Sequence, residues 1–576
     1  MSALPLIIVV GGDALAVRVC EELCGTQGHS VALLWEQEHE LAARVERLGA
    51  AFTGVAPNDY DALRAAGVLH GASLMALSDD DRLNLQVALK ARDLNPKIRI
   101  VLRQNNRQLG RKIEQNLPDC TVLSLSAHSA ATYAAAAVDD RCFYALQFPD
   151  IDGPLTGFTK RSAKDLGVAA RTVEEAEAHL HLRVVGVNGS PTFERERKLE
   201  EQDEIVAFGE AKYLDLARHD LRATAERMRV PPAVAFRAML GRQIRRFRHA
   251  DPIFKVILAV AIVMFVVSTF FFALSLHKDP LTSAYFVITT MTTVGYGDIT
   301  PLDSGPAAKV FAMLIMVSGV AFSGIFIAFA TSALTQAQFN ATQGLRKIRA
   351  RDHVIVCGAG AVGSTVIDYL AGLGKRVVVV DASPDPLLIE SSRYKSFDVL
   401  TGDSTRDQTL DLCSVGQARS VVALTDSDTS NLEVVLGARA RAPEIPVILR
   451  VQDAAFAESI ARQFAITTTF STTALAAPAF AGLSRFPGTR GRIAYGDDEY
   501  TVGERLQGEV PAPPPAQHCI PLCVWRRGAF LLITDFGQME PFDRLLFLVP
   551  LSQFRQPPKP KPDETAKEVP VASGGS

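Results

Sequence analysis

From Val256 to Leu274 the chain reads VILAVAIVMFVVSTFFFAL, 19 residues without a charge. At about 1.5 Å of rise per residue, a helix of that length covers roughly 28 Å, close to the hydrocarbon thickness of a bilayer. No other feature restricts the fold so tightly, because helices of globular proteins seldom run this long without a charged face. A second uncharged run, Val310 to Leu334, carries Gly319, Ser323 and Gly324, small residues where helices approach closely or bend. The two runs read as transmembrane helices over residues 253–276 and 307–334.

Their flanks set the orientation, since cytoplasmic segments beside a span are rich in Lys and Arg. Arg237, Arg242, Arg245, Arg246 and Arg248 precede the first run, and Arg346, Lys347, Arg349 and Arg351 follow the second. The connection between them holds only Lys278 and Lys309. Both large flanking parts, and so both termini, are expected in the cytoplasm of a multi-pass plasma-membrane protein. Residues 226–252 then form a basic juxtamembrane linker and 335–351 a second linker. Overall, 60 Lys and Arg nearly balance 63 Asp and Glu, which is not the footprint of a nucleic-acid binder. The opening MSALPLIIVVGG lacks a basic n-region and reads as a first strand, not a signal peptide.

Between the spans lies LTSAYFVITTMTTVGYGDITP, too short to cross twice as helices. It reads as a re-entrant pore helix and loop over 281–300, tolerated only where the backbone lines a cavity or is buried in protein. Gly295 and Gly297 permit backbone angles denied to other residues, so successive carbonyls can face one axis and replace the water shell of a cation. With Thr293, Val294, Tyr296 and Asp298 they spell TVGYGD, which closely resembles the potassium-channel signature, itself the standard example of carbonyl selectivity. The resemblance implies K⁺ held at Thr293, Val294, Gly295 and Tyr296 in a ring of four subunits, and a gating hinge at Gly319. Asp298 places a carboxylate at the outer mouth, where it attracts cations. No span carries an arginine ladder, so gating must come from elsewhere.

After the second span, DHVIVCGAGAVGSTVIDYLAGLGKRVVVVDAS places Gly358-x-Gly360-x-x-Gly363 between an apolar strand and a helix, with Asp381 ending the next strand. That is the dinucleotide fingerprint in a βαβ setting: bare backbone and a helix N-terminus for the pyrophosphate, an acid for a ribose. Ala361 and Val362 open the helix, Asp403 follows a third strand in TGDST, and Asp426 follows a fourth in ALTDSDTSNL. Asp426, Asp428 and Thr429 face a nucleotide or cap the next helix; both readings stand at this point. The run resembles the RCK domain, the regulator of potassium conductance related to Trk transporter regulators. The resemblance implies a ring of such domains beneath the pore. It also implies a regulatory ligand, NAD(H) or ADP/ATP, with Asp381 suited to an unphosphorylated ribose.

The chain also resembles itself. GGDALA at Gly11 matches GAGAVG at Gly358, and ALSDDDRLNLQVALKAR from Ala76 matches ALTDSDTSNLEVVLGAR from Ala423, both displaced by 347 residues. The expected architecture is multidomain: a central two-helix transmembrane pore module with a re-entrant loop, flanked by α/β Rossmann-like domains each carrying a small α+β C-lobe. The bounds are 1–140 and 141–225 for the first copy, 352–485 and 486–552 for the second, and 553–576 for a disordered tail. In the first copy Asp13 and Ala16 replace the second and third glycines, Trp35 stands for Asp381 and Val55 for Asp403. A carboxylate at position 13 obstructs an approaching pyrophosphate, so the first copy is expected to be structural and the second to hold the ligand.

The expected function is a homotetrameric potassium-selective channel gated by a cytoplasmic nucleotide. A Trk-type regulator subunit and a membrane-anchored NAD-dependent oxidoreductase are the alternatives. Nothing after Asp403 reads as a catalytic domain, so no enzyme is expected. The eight scattered cysteines lack zinc-site spacing and read as reduced, buried thiols.

Overall fold

The computed structural model describes residues 5–26, 29–36, 38–149, 153–191, 194–214, 252–342, 348–392, 395, 397–506 and 519–551. The expected basic linker up to residue 251 and the expected tail lie outside them. The chain divides into a larger unit, Met1–Arg222 with Lys347–Ser576, and a smaller one, Ala223–Arg346.

The larger unit holds the duplication. Strands β1 (Leu6–Val10), β2 (Ser30–Trp35), β3 (Ala51–Gly54), β4 (Ser73–Ala76), β5 (Arg99–Arg103) and β6 (Cys120–Leu123) form one sheet, ordered β3-β2-β1-β4-β5-β6. Every pair is parallel. Segments such as LIIVV and SLMA are apolar at nearly every position because helices cover both faces of a parallel sheet. A five-stranded antiparallel lobe follows, from β7 (Cys142–Gln147), β8 (Leu155–Ser162), β9 (Arg183–Val187) and β10 (Ser190–Pro191) to β11 (Glu204–Glu210). The second copy repeats the pattern. Strands β12 (Val354–Cys357), β13 (Val377–Asp381), β14 (Phe397–Thr401), β15 (Ser420–Ala423), β16 (Val447–Val451) and β17 (Thr469–Ser471) are ordered β14-β13-β12-β15-β16-β17. Its antiparallel lobe comprises β18 (Thr489–Tyr495), β19 (Asp498–Leu506), β20 (Ile520–Arg526), β21 (Ala529–Leu532) and β22 (Arg544–Pro550). The order 3-2-1-4-5-6 puts the strand reversal, and so the ligand crevice, between the first and fourth strands of each sheet.

The copies exchange helices. Leu125–Val138, half of it alanine, packs residues 130–138 into one core with Val354, Val356, Val422 and Ile448 of the second sheet. Thr472–Leu483 returns the exchange, burying Ala476, Ala477 and Phe480 with Ile7, Val9 and Leu33 of the first. Polar contacts pin the crossing. The buried Tyr133 hydroxyl donates to the Phe470 carbonyl at 2.9 Å, and Ser420 Oγ donates to the Ala137 carbonyl at 2.7 Å. Tyr144 Oη donates to the Arg490 carbonyl at 2.7 Å, and Arg492 pairs with the buried Glu22 at 2.8 Å. The two antiparallel lobes share one core in which Phe158, Val206 and Phe208 meet Tyr495, Ile520 and Leu548. None of the eight cysteines is in a disulfide, and burial pushes the Cys357 thiol up to about 12.

In the smaller unit, helices Pro252–Ser275 and Pro306–Thr342 bracket a short helix, Pro280–Met291. Pro306–Ala328 is apolar enough to cross a membrane, and most of that stretch is not buried in the chain. Val263, Phe270, Leu274, Val317 and Phe326 present their side chains outward, as lipid or neighbouring apolar surface requires. Inward, Phe272 meets Phe286 edge-on at 4.9 Å, and Phe271 lies 4.3 Å from Phe311. The second long helix runs past the expected end at residue 334 to Thr342, because TQAQFNAT contains no glycine or proline to stop it.

Candidate functional site

The loop between the two long helices is positioned by the short one. Asp279 caps that helix, accepting from the Thr282 amide at 3.0 Å, and Pro280 follows where a missing N–H costs nothing. At its other end the Thr289 carbonyl accepts the amides of Val294 (2.9 Å) and Gly295 (3.1 Å), turning the chain back on itself. The φ angle is positive at alternate residues: +64° at Thr293, +51° at Gly295 and +76° at Gly297. At the glycines this costs nothing in sterics, whereas Thr293 is a β-branched residue held in the left-handed region. The Tyr296 ring stacks on Tyr285 of the short helix, 6.4 Å between centroids and 3° from parallel, bracing the loop from outside. Asp298 follows at the end of the loop. Gly319 lies against this assembly: a Cβ there would stand 2.6 Å from the Met291 carbonyl oxygen. The long helix is continuous through Gly319, and what the distance shows there is close packing.

In the larger unit, the end of β12 turns through Gly358 at φ +96°, where a Cβ would meet the Leu424 and Thr425 backbone at 2.9 Å. Gly360 caps helix Ala361–Gly372 with open space beside it. Gly363 passes so close to Gly358 that a Cβ would lie 2.0 Å from its carbonyl oxygen, while Val362 is buried. Asp381 ends β13 and fixes the glycine loop: its carboxylate accepts the Ala359 amide at 2.7 Å and the Ser383 amide at 2.8 Å. Asp403 accepts the Thr405 hydroxyl at 2.7 Å and amide at 3.0 Å. Those bonds, with Arg406 beyond them, hold its carboxyl below the usual range. Gly358, Gly360, Asp381, Asp403 and Asp426 line one cleft of about 520 Å³ at the strand reversal. Ala361, Val362 and Gly363 form the helix turn behind it. Ser427, not Asp428, caps helix Asp428–Arg441, while Asp428 receives the Gln452 amide.

The matching crevice of the first copy is filled by its own side chains. The Trp35 indole rests on the loop, so that a Cβ at Gly12 would lie 2.2 Å from Trp35 Nε1. Asp13 accepts the Ala16 amide at 3.1 Å and forms an ion pair with Arg103, whose side chain is almost wholly buried. The sequence reading recognised the obstruction at Asp13 but missed Arg103. Its signal was there: Arg103 and Arg450 stand at the same 347-residue displacement as the motifs. The acidic run Asp79–Asp81 is also committed, with Asp80 capping helix Asp81–Leu94 and Asp81 accepting the Asn105 amide. Among the described residues, no group of three or more His, Cys, Asp or Glu is arranged to hold a metal.

Residues 7–122 and 354–472 each match the TrkA-N domain, and residues 259–336 match the ion channel domain. Two TrkA-N domains flank an ion-channel domain in this chain. Among relatives, the voltage-gated potassium channel Kch of Escherichia coli is 30% identical over 177 residues, 30% of this chain and 42% of that one. The calcium-gated potassium channel TvoK of Thermoplasma volcanium is 30% identical over 192 residues, 32% and 52% of the two chains. The chain therefore spans about half the length of these relatives. The solved GsuK channel bound to NAD matches over 95% of this chain and 77% of that one, at 14% identity and a TM-score of 0.49.

Proposed function

We propose that the chain is one subunit of a homotetrameric, potassium-selective channel of the plasma membrane, opened or closed by a nucleotide on its second TrkA-N domain. The observation that carries this reading is the TVGYGD loop between two apolar helices, with φ positive at alternate residues and glycine at two of those three positions. Four copies close a ring in which Thr293, Val294, Gly295 and Tyr296 present oxygens to K⁺. Asp298 draws cations to the mouth, and Gly319 serves as the hinge of the inner helix beside its packing on Met291.

The regulatory site is the second-copy cleft, where Gly360 leaves a helix N-terminus open to an anion and Asp381 stands where a ribose would bind. Asp403 and Asp426 form its rim. NAD(H) fits this donor set best, with ADP or ATP next. The first copy braces the ring. The domain bounds are those read from the sequence, the spans cross the membrane with both termini in the cytoplasm, and the chain carries out transport without enzymatic chemistry or nucleic-acid binding.

Purified protein in liposomes tests the reading: K⁺ flux should far exceed Na⁺ flux and should change on adding NAD, NADH, ADP or ATP. Asp381→Ala should remove the nucleotide response and leave selectivity intact. Equal K⁺ and Na⁺ flux through the unmodified chain would defeat the proposal.

A further inference from the structure

The two copies place one arginine in the same way but give it different partners. Arg103 Nη1 donates to the Leu77 carbonyl at 3.0 Å, and Arg450 Nη1 donates to the Leu424 carbonyl at 3.3 Å; both residues of each pair are displaced by 347. The two guanidinium groups are thus held at equivalent points beside their glycine loops. In the first copy the same Nη1 also reaches the Asp13 carboxylate, which sits where the second copy has Gly360. In the second copy Gly360 offers no carboxylate, the space beside it is open, and Arg450 turns instead to Asp426 at 3.0 Å. That alternative partner is 94% exposed, so the pair is well solvated and weak.

We infer that Arg450 is a phosphate-binding residue of the second-copy cleft, and that the Asp13 carboxylate of the first copy marks where the anion sits. The inference rests on the reading of that cleft as a nucleotide site. A phosphate oxygen above Gly360 lies at the N-terminus of helix Ala361–Gly372 and within the reach that Arg103 demonstrates. On binding, Arg450 keeps its Leu424 carbonyl and exchanges Asp426 for the phosphate. Asp426 is then a competing counterion, not a ligand contact. The first copy carries its anion covalently as Asp13, so its arginine is already satisfied.

Binding of ADP and of adenosine to the full-length protein in detergent, followed calorimetrically, separates the parts of this argument. Arg450→Gln should weaken ADP binding by roughly tenfold to a hundredfold, the range of a lost charge-assisted hydrogen bond, while adenosine binding stays within about twofold. Asp426→Asn should leave ADP affinity unchanged or raise it. Gly360→Asp should rebuild the pair seen at Asp13 and abolish ADP binding. If Arg450→Gln binds ADP as tightly as the unmodified protein, or loses ADP and adenosine alike, the phosphate role is refuted while the nucleotide site stands. If the unmodified protein binds neither ligand, the nucleotide site falls and the role of Arg450 falls with it.

Discussion

Two glycines in the same helix offer a controlled test of how the pore loop is supported. Gly319→Ala and Gly324→Ala each add one methyl to helix Pro306–Thr342 and each gain similar helix propensity, about 1 kcal/mol. Their surroundings differ. At 324 a Cβ meets nothing within 4 Å, whereas at 319 it meets Met291 at 2.6 Å from O, 2.8 Å from Cα and 3.0 Å from C. Non-bonded heavy atoms settle at about 3.5–4.0 Å, so one helix must retreat by roughly 1 Å, and the obstacle is backbone that cannot rotate away. Overpacking of this kind costs ~1–3 kcal/mol. Gly319→Ala should therefore be less stable than Gly324→Ala by that amount, about 5-fold to 150-fold in the folded-to-unfolded ratio, in reversible SDS unfolding from detergent micelles. Flux should fall as well, because the Thr289 carbonyl that anchors Val294 and Gly295 lies less than one turn before Met291. Equal stability and equal flux for the two variants would refute the packing argument and leave hinge bending as the role of Gly319.

Gly295→Ala should abolish K⁺ flux in liposomes without dissociating the oligomer, since alanine strains the left-handed angle that the loop requires there. A cysteine at Ser304 should react with an impermeant thiol reagent only from outside the cell, and labelling from the cytoplasm would reverse the topology. Tyr133→Phe should destabilise the folded chain by ~1–2 kcal/mol in denaturant titration, because it leaves the Phe470 carbonyl without its 2.9 Å donor in the seam between the copies. His29 is buried, neither ring nitrogen has a hydrogen-bond partner among the described residues, and burial, helped by Arg485, lowers its pKa to about 4. The unfolded chain takes up that proton near pH 6.5. The contribution of His29 is therefore complete above that value and is lost as pH falls from 6.5 toward 4. His29→Leu should flatten the melting temperature over this window, and an unchanged slope would assign the acid sensitivity to other groups.

Much of this architecture was legible because its signals are local. Charge-free runs of span length, alternating glycines in TVGYGD, and strand–glycine–helix spacing each lie within one segment and follow from backbone sterics or hydration. The 347-residue displacement then exposed the second Rossmann-like sheet, although its own fingerprint is broken at Asp13 and Ala16. What escaped was pairing at long range. An alanine-rich helix such as Leu125–Val138 is apolar on nearly every face, so nothing in its pattern says which of two similar sheets it covers. Trp35 read as a missing ribose acid, and only the structure shows its ring lying on Gly12. Arg103 stands at a strand end with its partner 90 residues earlier, a separation over which no local pattern links the two charges.

The exchange of helices also sets an order on synthesis. The first parallel sheet is finished at Leu123, yet the helix that closes over Ile7, Val9 and Leu33 ends at Leu483. At about 5–20 residues per second, the ribosome needs roughly 20–70 s to make what lies between, including both apolar helices. Through that interval the emerging N-terminal domain carries an uncovered apolar face beside a segment being delivered to the membrane. The earlier parallel sheet is thus closed only after every strand of the later one has been made, and a chain that stops anywhere before residue 472 leaves that face open to chaperones and proteases.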